Sequence, residues 1–210
     1  VRIPAWCPGW YVLTEYHKNI RRVSARTASG VRLQVVEAGD RVWKVENRSA
    51  SGVVVEYQVR GNDAGFGFFG CHLSERNGFV NPAAQCMYPS GRTREPVSIR
   101  FDLPSGWNLA TALDPGGRTG EFVAQDYDEL VDSPFELGHF KRVDFQAAGV
   151  PMFATFTYRG EMRPNADKIV SELKLIAETQ VAMFGGAPMK RYFWNIHLDT
   201  GSFGGGLEHR

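Results

Sequence analysis

The residues nearest to chemistry form one short run, in which Gly204, Gly205 and Gly206 precede Leu207, Glu208 and His209. Glycines lack a Cβ and let another backbone approach closely. An exposed, glycine-rich strand edge can hold an extended peptide by main-chain pairing. Glu208 then places a carboxylate beside that path, where it suits a free α-ammonium group through a charge-assisted hydrogen bond. The plain alternative is a flexible tail. The histidines offer less: His17, His72, His139, His197 and His209 fall at no metal-ligand spacing. A zinc-protease helix needs a His-Glu-x-x-His run, with both imidazoles on one face and the glutamate as base. These histidines read instead as surface or satisfied core side chains. There is no Gly-x-Ser-x-Gly elbow and no cysteine in an electropositive loop. The reading therefore assigns this chain no catalytic residue and no metal ligands.

Three further clusters carry residues with chemical potential. The glycines from Gly65 to Gly70 look superficially like a phosphate loop, but no helix follows them, and alternating phenylalanines suit a strand. Asp126, Asp128, Glu129 and Asp132 form an acidic cluster that lacks the glycine and terminal glutamate of a calcium loop. Solvated carboxylates around a helical turn are the better reading. The run from Pro4 to Tyr11 (Pro-Ala-Trp-Cys-Pro-Gly-Trp-Tyr) packs two prolines, a glycine and three large aromatics into eight residues. It reads as a rigid turn plugging a core or an interdomain seam, with a sugar- or peptide-binding shelf as the alternative.

The elements that must position these residues are mostly strands. Up to about Gly160, short runs rich in Val, Ile, Phe, Tyr and Trp alternate with Gly, Pro, Asn and Ser. Candidates span 31–36, 42–45, 53–59, 97–103, 107–113, 120–124, 143–147 and 152–158, with one helical turn at 126–131. Beyond Pro164 the period changes. Asn165 is a helix cap, Ile169, Leu173 and Ile176 recur at helical spacing, and Gly185, Gly186 and Pro188 stop the helix. A strand follows from Lys190 to Leu198. The expected fold is mainly β: a twisted antiparallel sandwich or saddle over 1–160, then a small α+β segment over 161–210. The apolar face of that helix is expected to stay incompletely buried.

Composition excludes several classes. The 210 residues include 24 Lys and Arg against 23 Asp and Glu, a net charge of +1, which gives no reason to invoke nucleic acid or a membrane surface. No apolar stretch approaches the roughly 18 residues of a membrane helix. Both ends look cut, since Val1 is not an initiator methionine and the last residues follow an ordered-looking run. Cys7, Cys71 and Cys86 are an odd number. Cys71 and Cys86 could face each other across a hairpin, although buried thiols are the simpler reading.

Several stretches together resemble one family. The run from Pro4 to Tyr11, the run from Leu103 to Leu113 and the run from Asp126 to Pro134 look like the N-terminal domain of glycyl-aminopeptidase-like zinc metallopeptidases. The runs from Phe184 to Tyr192 and from Gly205 to Arg210 look like the start of their catalytic domain. Trp10 departs from the family pattern, where a small hydroxyl residue is expected. The resemblance implies a twisted β domain, then a thermolysin-like catalytic domain, usually with a PDZ module after it. It implies that Glu208 anchors the substrate amine while Gly205 and Gly206 line the same cleft edge. It also implies zinc in the full-length enzyme but none in this piece, a peptide substrate with a free N-terminus, and a catalytic domain in cis. The sequence does not give the compartment, and the resemblance favours export over the cytoplasm. The rival is a non-catalytic β-sandwich module using Trp6, Trp10 and Tyr11 as a ligand shelf.

Because paired histidines are missing, the purified chain is expected to bind no stoichiometric zinc and to cleave no aminoacyl substrate. Metal analysis that finds a tightly held, stoichiometric zinc would overturn this expectation.

Overall fold

A computed structural model describes residues 1–10, 12–49, 51–61, 69–160, 163–200 and 204–209. Most of the run from Gly65 to Gly70, together with Tyr11 and Arg210, therefore lies outside the described residues. In chain order the strands are Ile20–Thr27 (β1), Arg32–Glu37 (β2), Trp43–Glu46 (β3), Val53–Val59 (β4), Cys71–Leu73 (β5), Asn77–Val80 (β6) and Val97–Arg100 (β7). They continue with Asn108–Ala110 (β8), Asp114–Pro115 (β9), Glu121–Ala124 (β10), Phe135–Gly138 (β11), Lys141–Ala147 (β12), Val150–Tyr158 (β13) and Tyr192–Leu198 (β14). Helices are Pro82–Gln85 (α1), Tyr127–Val131 (α2) and Ala166–Met183 (α3). The fold is mainly β, as expected.

The strands form sheets in the orders β3-β2-β1-β4, β7-β10-β9, β5-β6-β11-β8 and β12-β13-β14. The first three sheets are antiparallel throughout and surround one apolar cluster that includes Ile3, Cys7, Tyr16, Trp43, Leu113, Tyr127 and Phe135. In the fourth, β12 and β13 are antiparallel, whereas β13 and β14 run parallel, joined through α3. A parallel pair needs such a crossover. Its apolar residues form separate clusters, with Ala154, Phe156, Ala166 and Val170 at the centre of one and Met152 and Ala177 in the other. A division at residue 160 thus falls inside one β-α-β sheet, whose strands lie on both sides of it.

Helix α3 follows the sequence signals closely. The Asn165 side chain accepts from the N–H groups of Asp167 and Lys168, each at 3.1 Å, which caps the start. At the far end Gly185 has φ of 74°. The Gly186 N–H donates to the Val181 carbonyl at 3.0 Å and that of Gly185 to Ala182 at 3.3 Å. This paired return is a Schellman stop, and it needs the left-handed residue. Only Ala166, Val170 and Ala177 are buried on α3. Ile169 and Leu173 are half-buried, while Leu175, Ile176, Met183 and Phe184 are 64%, 48%, 70% and 78% exposed, so an apolar outer edge is left uncovered. Among the described residues no helix is long and apolar enough to cross a membrane.

Cys7, Cys71 and Cys86 are all thiols, so no bridge spans the β5–β6 hairpin and its following turn. Around Cys86 the Tyr57 hydroxyl donates to the Gln85 carbonyl at 2.9 Å and accepts from the Met87 N–H at 3.0 Å. The Tyr127 hydroxyl donates to the Cys86 carbonyl. Burial pushes the Cys86 thiol from 9.0 up to about 12 and the Tyr57 phenol from 10.0 up to about 12. Tyr127 is raised too, by burial first and by its neighbours Cys86 and Tyr88 next. The folded chain keeps these protons where the unfolded chain loses them. The contribution of these groups to stability should therefore be intact below pH 9 and be lost as pH rises from about 9 through 12. At pH 8 Cys86 should react with iodoacetamide far more slowly in the folded chain than in urea, and equal rates would contradict the burial argument.

Candidate functional site

The glycine-rich run and the aromatic opening meet. Cys7 is buried, and the Trp10 N–H returns to the Cys7 carbonyl at 3.2 Å, which makes a tight turn with Gly9 at φ of 77°. Trp10 stacks on Phe69 with ring centroids 4.0 Å apart. Leu207 and the Glu208 carbonyl lie against Gly9. A Cβ there would overlap Leu207 Cδ1 and come within 3.1 Å of the Glu208 oxygen. The absent side chain is thus required both by the left-handed backbone and by the neighbour. One residue further on, His209 Nδ1 lies 3.0 Å from Asp132 Oδ1, with the two side chains only 14% and 16% exposed. An ionised carboxylate only accepts, so Nδ1 carries the proton.

Glu208 sits between these two contacts with its side chain exposed. Among the described residues no ion pair or hydrogen bond engages its carboxylate. Burial raises the Tyr192 phenol, and the Glu208 charge beside it adds to that rise. Gly204, Gly205 and Gly206 are exposed, and a Cβ at Gly204 or Gly206 would meet open space. The segment 204–209 has no strand pairing, so the expected glycine-rich strand edge is instead an irregular segment pinned at Leu207 and His209.

The acidic cluster does not converge. Asp126 caps α2 by accepting from the Glu129 N–H at 2.9 Å, Arg94 approaches Asp126 and Asp128 at 3.6 and 3.2 Å, and Glu129 accepts from the Gln125 N–H. Asp132 is the member turned toward the glycine-rich segment. The solvated-turn reading holds for Asp128, whereas Asp126 is only 15% exposed and Glu129 is half-buried. The role of Asp132 needed the fold to bring His209 to it.

A second constellation was not seen in the sequence. Glu136, in the middle of β11, is fully buried. Its Oε1 accepts from the Thr157 hydroxyl at 2.5 Å. Its Oε2 accepts from Asn195 Nδ2 at 3.1 Å and faces His197 Nε2 at 2.7 Å. Thr155 donates to Asn195 Oδ1 at 2.8 Å, which fixes the amide orientation. In the β13–β14 ladder Thr155 pairs with Asn195 and Thr157 with His197. Side chains alternate across a sheet, so one face offers Ala154, Phe156, Trp194 and Ile196 to α3 and the other offers this polar quartet to Glu136. The only advance signal was a glutamate inside the apolar run from Phe135 to Leu137.

Residues 1–139 match the family of peptidase M61 N-terminal domains. The chain belongs to that family. No curated protein matches this M61 chain by sequence. Among solved structures, an aminopeptidase N family protein from Idiomarina loihiensis is similar over 99% of the chain, at 29% identity and a TM-score of 0.90. The M61 chain spans only 35% of that protein. The aminopeptidase A of Legionella pneumophila, solved in complex with aspartic acid, matches 84% of the chain and 23% of its own length. At 12% identity and a TM-score of 0.50 it shares the fold alone.

The family match ends at residue 139, just past Glu136, so this carboxylate joins the M61 N-terminal domain to the sheet that follows. Removing a buried acceptor leaves the groups that donate to it unsatisfied, at a cost of about 1–3 kcal/mol for each. Glu136→Ala should therefore destabilise the chain by at least that amount in chemical denaturation, and Glu136→Gln by less, since it keeps an acceptor for Thr157. A loss under about 1 kcal/mol for Glu136→Ala would show that the two layers are held by apolar contact alone.

Proposed function

We propose that this chain is the N-terminal part of a zinc-dependent aminopeptidase and that Glu208 binds the free amine of a peptide substrate. The observation that carries the reading is the exposed Glu208 carboxylate, unengaged among the described residues, on a segment docked at both flanks. A flexible tail would not be docked in this way. Family membership and the likeness to aminopeptidases support the same reading. Among the described residues no three His, Cys, Asp or Glu side chains converge as metal ligands. These residues do not fit the zinc site. In this reading the metal belongs to a catalytic domain in cis, and this chain contributes binding and orientation.

Glu208 would fix the distance from the substrate's first nitrogen to the reacting carbonyl, with the exposed glycines 205 and 206 leaving room for the peptide backbone. The rival reading takes Trp6, Trp10 and Tyr11 as a ligand shelf; Trp6 is 51% exposed, and Tyr11 lies outside the described residues. Docking of the turn on Leu207 accounts for its rigidity without a ligand. In the full-length enzyme Glu208→Ala should lower kcat/KM for free-amine substrates by about 3 kcal/mol, roughly 100-fold. Substrates with an acetylated amine should change far less. Equal losses on both would make Glu208 a structural residue and place the amine anchor elsewhere.

A further inference from the structure

We infer that Gly9 and Asp132 are positioning residues for Glu208, so that the N-terminal β domain sets the place of the amine anchor without touching the substrate. The inference rests on the reading of Glu208 given above and adds what fixes it. The contacts fall one residue to either side of Glu208. On one flank Leu207 and the Glu208 carbonyl lie on the Cβ-free face of Gly9. On the other His209 donates to Asp132 in a pair that is mostly shielded from water. Both partners belong to residues 1–139, matched by the M61 N-terminal family, and both hold backbone whose own glycines are open to solvent.

The two supports differ in kind. Gly9 supplies shape: its φ of 77° is left-handed, and even a methyl there would push on Leu207 and crowd the Glu208 carbonyl. The Leu207 side-chain end can yield, but the backbone oxygen at 3.1 Å yields only if the segment shifts. Asp132 supplies a charge-assisted bond. It stands at the C-terminal cap of α2, where its N–H returns to the Asp128 carbonyl at 3.2 Å, so its main chain is itself fixed. A segment held at residues 207 and 209 leaves Glu208 little freedom beyond side-chain rotation. Small misplacements of a binding group cost large factors in rate.

The test is a double-mutant cycle in the full-length enzyme with free-amine and acetylated peptide substrates. Asp132→Ala should lower kcat/KM for the free-amine substrate roughly tenfold or more, chiefly through KM, and leave the acetylated one within about twofold. Asp132→Asn, which keeps an acceptor for His209, should recover most of the loss. On a Glu208→Ala background Asp132→Ala should add almost nothing, since the residue it positions is gone. In the 210-residue chain, Gly9→Ala and Asp132→Ala should both speed hydrogen exchange or protease cleavage at residues 204–209 while leaving β11 protected. A selective Glu208→Ala effect with an Asp132→Ala effect that is unselective, or that persists undiminished without Glu208, would overturn the positioning role alone. An unselective Glu208→Ala effect would overturn the amine-anchor reading and this inference with it. Unchanged exchange at 204–209 in both variants would show that neither residue holds the segment.

Discussion

A carboxylate with no exposure to water loses several kcal/mol of hydration, and it is tolerated only where donors fill its lone pairs. Glu136 meets that demand with three donors, and all of them come from β13 and β14. That requirement propagates outward. Thr157 and His197 must stand side by side in the ladder, with Thr155 and Asn195 one pleat away, so the β13–β14 register admits no slip. A one-residue shift would turn the quartet toward α3 and bring Phe156 against the charge. Helix α3 must then return the chain at the right place, which its capped start and Schellman stop help to define.

The legible elements were those whose information is local. The Asn165 cap, the apolar stripe and the Gly185–Gly186 stop announce α3 within a single stretch, and its observed bounds lie one residue inside both caps. Val53–Val59 was likewise readable to the residue. β1 was not, although it is one of the longest strands. Its sequence, Ile-Arg-Arg-Val-Ser-Ala-Arg-Thr, shows buried Ile20 and Ala25 five positions apart, which breaks alternation. The ladder with β4 is irregular between Arg21 and Ser24, and Arg22 sits at φ of 53°. A bulge resets which side chains face inward, and no periodicity test survives it. β11 was hidden for another reason: four consecutive buried residues, one of them charged, match neither a half-buried nor an apolar strand.

The same distinction separates the parts of the site. Gly205, Gly206 and Glu208 could be singled out because glycines beside a carboxylate carry their chemistry in adjacent positions. Their supports could not. Asp132 and His209 are 77 residues apart, and Glu136 and His197 are 61 apart. Neither pair leaves a local trace. The change of period near residue 160 misleads in a related way, because it marks where strands give way to a helix. The packing changes earlier. Among the described residues the main apolar cluster includes nothing beyond Leu137, and β12 and β13 share their sheet with β14. A helix that crosses over between parallel strands belongs to the strands on both sides of it.

The way the domain holds Glu208 suits a carboxylate whose partner arrives later. In water an ion pair at contact distance gains only about 1 kcal/mol, whereas the same pair in a site closed to solvent gains several times more. An anchor neutralised in advance by a lysine or arginine of its own chain would have to break that pair before binding an amine. Here the fixed interactions go to the neighbours, with Leu207 on an apolar surface and His209 on a carboxylate, and the Glu208 charge stays hydrated. The entropy of placing the segment is therefore met when the β domain folds, before any ligand is present. If Glu208 is the amine anchor proposed above, what remains for binding is desolvation of one carboxylate and one ammonium, and the bond between them offsets that cost only where water is excluded. The β domain supplies the position, and the strength of the contact depends on what closes over it.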